Sequence, residues 1–395
     1  MRILCVATKP PWPAIDGGRL ALWQTVEALS DAGHEISLVA PDSGDWAWGR
    51  QAVDAALRVY CRPTVVAVRN RALIHLLPEA LSTRLPLTVL RHHHIPVQDA
   101  VARHISEFCP DVVHVEQMQS FRNAEVALTN GYPVVLREQN VEADLWLQMA
   151  RQQRFWAPML RFEGRRLRQY EAAVVQRCTR TVTLTDRDAG ELRKYAGASY
   201  ATLVKRVGLP FPPQLAPGPP VEGAPAVVIG GSAGWVPNAQ ANRWFIRNAW
   251  PEVQRRLPQA TLHVFGGDAT GGASIRWHRP PVQSKIAFPA GAIMVVSLSV
   301  ASGIRMRILE AWARGLPVVA SSIAAAGLDV ADGEQLLLAN SADEFAAAIE
   351  RLSRDTQLCE RLRQGGTRYL RAHHDAARTT AALLDVYREA IDATA

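Results

Sequence analysis

The run Ser302-Gly303-Ile304-Arg305-Met306-Arg307-Ile308-Leu309-Glu310 places small residues, two guanidinium groups and a carboxylate close together. A glycine-containing loop that feeds a helix start presents free backbone N–H groups and a positive dipole end, which suits an anion such as a phosphate. Arg305 and Arg307 add cationic donors at that end. Glu310 follows about 1.5 helical turns later, where a carboxylate accepts hydrogen bonds from vicinal hydroxyls. Phosphate at the helix start and a diol deeper in describe a nucleotide sugar. The alternative is a basic-capped helix with Glu310 in a structural ion pair.

Further polar residues sit where strands should end in the first half. Asp16-Gly17-Gly18-Arg19 follows the apolar run Ile3–Ala7, and its glycines let the backbone approach a ligand closely. The GxGxxG spacing is missing, so a dinucleotide site is weakly supported, and a plain tight turn is the alternative. His114 and Glu116 close the run Asp111–Glu116, and Gln139 and Glu142 follow Val134-Val135-Leu136. Open α/β sheets bind ligands just past the carboxyl ends of their strands. His114 fits a satisfied core histidine equally well. His92-His93-His94 cannot share one helix face and reads as a loop or helix end rather than a metal site.

The elements that must carry these groups alternate. Strand Ile3–Ala7, a helix with Leu22, Val26 and Leu29 inward, Gly33, and strand Glu35–Val39 form a βαβ opening. Strands at 111–116, 134–136, 181–185 and 203–207 continue the pattern. Leu209 to Pro225 is proline-rich and reads as an interdomain linker. The pattern then restarts: strand Val227–Ile229, a Gly230–Asn238 loop, a helix from Ala241 to Leu257, and strand Thr261–Phe265 ending in Gly266-Gly267-Asp268. Strand Ile293–Val296, a helix bearing Ile304, Ile308, Leu309 and Trp312, Gly315, and strand Leu316–Ala320 follow, with a helical tail from Ala342 to Ile391. The expected fold is α/β, two Rossmann-like doubly wound domains facing a central cleft. Residues 1–208 form the acceptor domain, with a C-terminal helix at about 375–395 packing back on it; 209–225 is the linker and 226–374 the donor domain.

Composition bounds the function. The 395 residues, 48% hydrophobic and 21% charged, are ordinary for a two-domain globular protein. The net charge of +7 comes almost wholly from arginine and fits an anionic ligand or an acidic membrane surface. The five cysteines are widely spaced, with no CxxC pair, and read as reduced thiols. No run approaches the roughly 20 apolar residues of a membrane span, and Met1-Arg2 leads straight into a strand rather than a signal peptide. The expected location is cytoplasmic, with peripheral attachment at the inner face of the membrane. That attachment is expected at 151–168, where six arginines accompany one acid, Glu163, and interleave with Phe155, Trp156, Met159, Leu160, Phe162 and Leu167. An ordinary core-facing helix is the alternative. No nucleic-acid motif accompanies the charge.

A larger pattern is specific. Trp235-x-Pro237-Asn238, Trp244-Phe245, Trp250-Pro251, Gly266-Gly267, then Ser302-Gly303-Ile304-Arg305-x-Arg307-Ile308-Leu309-Glu310-Ala311-x-Ala313-x-Gly315-x-Pro317-Val318-Val319-Ala320 and Gly327-Leu328 resemble the group 1 (family 4) glycosyltransferases of the retaining GT-B fold. Asp16–Arg19, Asp111–His114 and Gln139-Asn140-Val141-Glu142 extend the resemblance to the first half. It implies that Glu310 binds the donor ribose and that amides around Gly303, Ile304 and Arg305 hold the diphosphate, with Arg305 and Arg307 beside them. Asn238 belongs to the same donor site, and Gly17 and Gly18 close over the phosphates. It also implies catalytic roles for Arg305, Arg307 and Gln139, acceptor-side places for His114, Glu116 and Glu142, and no metal or other cofactor beyond the nucleotide-diphosphate sugar. The acceptor is a glycan, a lipid-linked molecule or a small molecule.

The chain departs from the family pattern in three places. The family commonly has Glu-x7-Glu, and here Ser302 replaces the first glutamate, a change shared by close relatives with a Ser-Gly-x-Arg loop. Gln139 stands where relatives carry histidine, so an amide that cannot carry charge replaces an imidazole. The Gly230–Asn238 loop lacks the Arg and Lys that many relatives place on the diphosphate, a task expected to pass in part to Arg305. Two other readings stay open: a catalytically silent nucleotide-sugar binding partner, and an epimerase or hydrolase of the same fold.

Overall fold

Strands of a parallel sheet are covered on both faces and therefore read as continuous apolar runs. The chain has two such sets. The computed structural model describes residues 1–44, 49–231, 235–266, 272–281 and 283–394. In the first half β1 (Arg2–Val6), β2 (Glu35–Asp42), β3 (Arg62–Ala67), β4 (Val112–Glu116), β5 (Val134–Glu138), β6 (Arg180–Thr183) and β7 (Val204–Arg206) form one sheet. All its pairs are parallel, in the order β3-β2-β1-β4-β5-β6-β7. In the second half β8 (Ala226–Gly230), β9 (Thr261–Phe265), β10 (Ile275–His278), β11 (Ile293–Val296), β12 (Val318–Ala320) and β13 (Leu337–Leu338) pair in parallel as β10-β9-β8-β11-β12-β13. Each strand order reverses once, at β1/β4 and at β8/β11. The residues just beyond these strands carry the polar groups singled out from the sequence, as expected at a topological switch point.

The first helix, Gly17–Asp31, starts at Asp16, whose carboxylate accepts from the Arg19 N–H at 3.0 Å and caps the orphan donors. Its Leu22, Val26 and Leu29 are buried against the sheet, on the face the spacing predicts. The last helix, Ala376–Asp392, packs on the same core through Leu383, Leu384 and Tyr387. Ala21 and Leu184 of the first half join Ile304 and Met306 of the second in one apolar cluster, so the two halves meet through a dry contact.

Two sequence expectations need correction. The basic stretch 151–168 is not one helix: one helix, Glu142–Gln152, ends there and another, Ala157–Arg177, begins. Pro158 in the first turn of the second explains the restart, since proline suits a helix start and not its interior. The helix through 241–257 begins earlier, at Val236, and passes through a π turn at Phe245–Ala249. Pro251 donates no N–H and would clash with the carbonyl four residues back, which a local π turn relieves. The 209–225 stretch, read as the linker, connects β7 to β8 and is held in place. Leu209 and Phe211 are buried, and the N–H groups of Phe211, Leu215 and Gly218 donate to His374, Ala313 and Phe288. Among the described residues no helix is long and apolar enough to cross a membrane.

Candidate functional site

The helix carrying Glu310 runs from Met306 to Ala313, with Arg305 as its N-cap. Ser302 to Arg305 is therefore loop, and the helix start lies later than Ser302-Gly303 suggests. Gly303 has φ +74°, and a Cβ there would lie 1.9 Å from the Gln139 carbonyl oxygen, so only glycine fits. The Ser302 hydroxyl accepts from the Val141 N–H at 2.7 Å and donates to Asp188 Oδ1 at 2.9 Å. The Gly303 N–H donates to Asp188 Oδ2 at 3.1 Å. This corrects the expectation that the Gly303 amide is open to a diphosphate: a buried carboxylate from the other half already occupies it. Asp188 lies in the first turn of the helix Asp186–Ala196, where Thr185 caps its N–H at 3.1 Å.

Arg305 and Arg307 have the property an anion site needs. Arg305 is buried, with Nε lacking a partner among the described residues. Burial pushes its guanidinium pKa down to about 10, against the pull of Asp188, so it stays charged at neutral pH. It sits over the Trp235 ring, 5.8 Å from the centroid. Arg307 presents a buried NH1 with no partner beside Gly230, and burial brings it likewise to about 10. Asn238 is half-buried in the first turn of the helix from Val236 and lies against Gly231, whose φ is +143°. Ser232, Ala233 and Gly234 of that loop, and Gly267 and Asp268 after β9, lie outside the described residues.

Glu310 is buried, and Arg314 donates to it from Nε at 3.1 Å and NH2 at 2.8 Å. The structural ion pair that the sequence left as the alternative is thus present. Both bonds end on Oε1, which leaves Oε2 as an acceptor.

The opposing wall is built by β1, β4 and β5. A Cβ on Gly17 would lie 3.1 Å from Met306 Cγ, so the two helix starts face each other closely. Lys9 and Arg19 are both paired with Asp16, at 2.9 and 2.8 Å. Gln139 donates from Nε2 to Glu116 Oε1 at 2.6 Å and to the Gly18 carbonyl at 3.2 Å. Glu116 accepts from Arg137 Nε at 2.8 Å and bonds His114 Nε2 at 2.9 Å, and Tyr387 lies 2.7 Å from His114 Nδ1. Burial lowers the His114 pKa, so the ring is neutral; Nε2–H then donates to Glu116 and Nδ1 accepts from the tyrosine hydroxyl. Burial alone would raise Glu116, but Arg137, His114 and Gln139 outweigh it and keep the carboxylate ionised.

The sequence puts His114 and Glu116 on the acceptor side. The structure buries both, with His114 held between Tyr387 and Glu116 and with Glu116 accepting from Arg137 and Gln139. Glu142 is half-buried at the start of its helix, and burial raises its pKa to about 7. Burial also raises Glu138, helped by the Glu171 and Glu142 charges, and raises Glu171, helped by Glu142. Among the described residues no His, Cys, Asp and Glu cluster could hold a metal ion.

Asp188, Arg137 and Tyr387 escape sequence reasoning. Thr185-x-x-Asp188 reads as a local helix cap, which it also is. The one usable signal was its place just past β6, at the ligand end of the sheet.

Two family models match this chain: Glycosyltransferase Family 4 over residues 15–204 and Glycosyl transferases group 1 over 224–355. No curated protein sequence matches significantly. Among solved structures, sucrose-phosphate synthase from Thermosynechococcus elongatus superposes with a TM-score of 0.70 at 15% identity, covering 100% of both chains. Anabaena HepE in complex with UDP-glucose gives 0.64 at 13% identity over 98% of each. S. aureus TarM in complex with fondaparinux, alpha-GlcNAc-glycerol and UDP gives 0.66 at 9% identity, over 98% of this chain and 100% of that one. These likenesses show the fold, two Rossmann-like domains in the GT-B arrangement. With both halves matched by glycosyltransferase family models, the chain belongs to the group 1 glycosyltransferases.

Proposed function

We propose that the protein is a retaining, metal-independent hexosyltransferase that moves a sugar from a nucleotide-diphosphate sugar to a glycan, lipid-linked or small-molecule acceptor. The observation that carries this reading is the pair Arg305 and Arg307, cations whose buried Nε and NH1 have no partner among the described residues. An uncompensated buried charge is costly, and a diphosphate bound there would complete both groups. Glu310 Oε2 takes the ribose hydroxyls, and Gly17-Gly18 supplies close backbone from the other wall.

In the reaction the bond between the anomeric carbon and the diphosphate oxygen breaks as the acceptor oxygen approaches from the same face. The acceptor proton passes to the departing diphosphate. Negative charge grows on that group in the transition state, so preorganised cations stabilise it more than the ground state. Gln139, beside Gly18, orients the sugar without acting as base or nucleophile, because its amide is neutral. The Tyr387–His114–Glu116 chain holds that amide in place.

Incubation with UDP-, GDP- and dTDP-sugars plus candidate acceptors tests this, with mass spectrometry of the product and proton NMR of its anomeric centre. The expected product keeps the donor's anomeric configuration and forms equally fast in EDTA. An inverted anomer ends the retaining reading, and chelator-sensitive turnover ends metal independence. Equal turnover without acceptor favours an epimerase or hydrolase; nucleotide binding without any turnover favours a silent partner.

A further inference from the structure

Two segments far apart in sequence, tied together through Arg166 and Glu163, each put large apolar side chains into solvent. In the first, Ile74 is 70% and Leu81 73% exposed, with Leu73 and Leu77 between and before them also exposed. In the second, Phe155 is 83% and Phe162 57% exposed, with Trp156 and Met159 exposed as well. Arg166 joins the segments: it donates from Nε to the Arg84 carbonyl at 3.3 Å and from NH2 to the Ala80 carbonyl at 2.7 Å, while its guanidinium lies over the Phe162 ring. Glu163 locks the contact by accepting from the Leu87 N–H. The side chains 73–81 and 155–162 therefore flank one joint. An apolar cluster of this kind marks an interaction site rather than ordinary surface.

Charge selects the partner. Arg84 at the joint, and Arg91, Arg151, Arg154, Arg161 and Arg165 in the flanking segments, are exposed and form no ion pair among the described residues. The two acids nearby are neutralised within the fold, Glu79 by Arg71 and Glu163 by Arg166. The surface also adjoins the cleft: Gln152, just before Phe155, donates to the Ser299 carbonyl of the other half at 2.7 Å and accepts from the Ser299 hydroxyl at 3.1 Å.

We infer that segments 73–81 and 155–162 form one docking surface for an anionic lipid membrane at the mouth of the cleft. The aromatic and aliphatic side chains enter the acyl boundary while the arginines meet the headgroups. This rests on the proposed transfer reaction only in making the acceptor lipid-borne, and it selects that class from the three left open. The arginine contribution is screened over about 8–10 Å at physiological salt, whereas the apolar part resists salt.

Co-sedimentation of the full chain with phosphatidylglycerol/phosphatidylcholine vesicles, and with phosphatidylcholine vesicles alone, tests it. Binding is expected to the first and not the second, partly reversed by high salt. The variants Phe155→Ser/Phe162→Ser, Ile74→Ser/Leu81→Ser and Arg161→Glu/Arg165→Glu should each weaken partitioning at least about tenfold while keeping the wild-type thermal midpoint. Wild-type levels of binding by the Ile74/Leu81 variant would overturn the joint surface. No vesicle binding at low salt, or a dimer in light scattering that the serine variants convert to monomer, would overturn it as well. Donor turnover without vesicle binding would reject the surface and spare the proposed function; vesicle binding without turnover would do the reverse.

Discussion

The helices that begin at Gly17 and at Met306 face each other across the cleft, and each brings two cations to its start. Their electrostatics differ. On the Gly17 side, Lys9 and Arg19 are both paired with Asp16, which also caps the helix. One carboxylate offsets one of the two charges there, so that side keeps a reduced positive charge. On the Met306 side, Arg305 Nε and Arg307 NH1 are buried atoms with no partner among the described residues, and in the proposed reading a diphosphate completes them. Two glycine-bearing helix starts that look alike in sequence thus divide the work: one mainly shapes the site, the other mainly charges it.

The largest effect should come from breaking the charged side. Arg305→Ala should cut turnover on the natural donor by about a hundredfold, the scale for losing one preorganised charge stabiliser. Binding of the bare nucleoside should hardly change. Equal losses for nucleoside and nucleoside diphosphate, measured by calorimetry, would make Arg305 structural and erase the contrast between the two helix starts.

A smaller effect is expected one turn deeper. Glu310→Gln keeps the shape and removes the charge that accepts from the ribose, a bond worth about 1.5–3 kcal/mol. Nucleoside diphosphate affinity should fall at least about tenfold. If it is unchanged, Glu310 serves only Arg314 and the ribose lies elsewhere.

The smallest effect on the donor should come from the Asp16 side. Asp16→Ala should change donor affinity less than about threefold while costing stability of about 1 kcal/mol for the lost cap. Burial acts to raise the Asp16 pKa, but Lys9 and Arg19 outweigh it and hold the carboxyl below its ordinary 3.8. A depressed carboxyl stabilises the fold above the unfolded-state pKa and loses that contribution as pH falls through the folded-state value. The thermal midpoints of Asp16→Ala and the wild type should therefore differ at neutral pH and converge below about pH 3.8. A loss of donor affinity as large as that of Arg305→Ala would mean that Asp16 belongs to the ligand site.

The elements themselves were legible. Ile3–Ala7, Glu35–Val39 and Ile293–Val296 are apolar runs of strand length, and Leu22, Val26 and Leu29 recur at helical spacing, so the double α/β pattern could be read without coordinates. Breaks were legible less well. Pro158 and Pro251 each alter a helix, yet one restarts it and the other only widens a turn, because the neighbouring packing decides whether the chain turns away. Composition marked 209–225 as lacking helix and strand but gave no sign of its contacts, and Phe211 is part of the core.

The sequence by itself determined that the chain forms two parallel α/β halves, that glycines and arginines cluster at strand ends, and that Ser302-Gly303-x-Arg305 and Glu310 stand in one short segment. Local rules suffice there, since periodicity, capping and glycine tolerance act over a few residues. Tertiary structure alone decided which of those groups are already spent. Asp188 reaches Ser302 and Gly303 across 114 and 115 positions, and Tyr387 reaches His114 across 273. A hydrogen bond is satisfied by whatever the fold brings within about 3 Å, and no local rule encodes that. The same physics left Arg305 and Arg307 unfilled, and in a buried setting a missing partner is as informative as a present one.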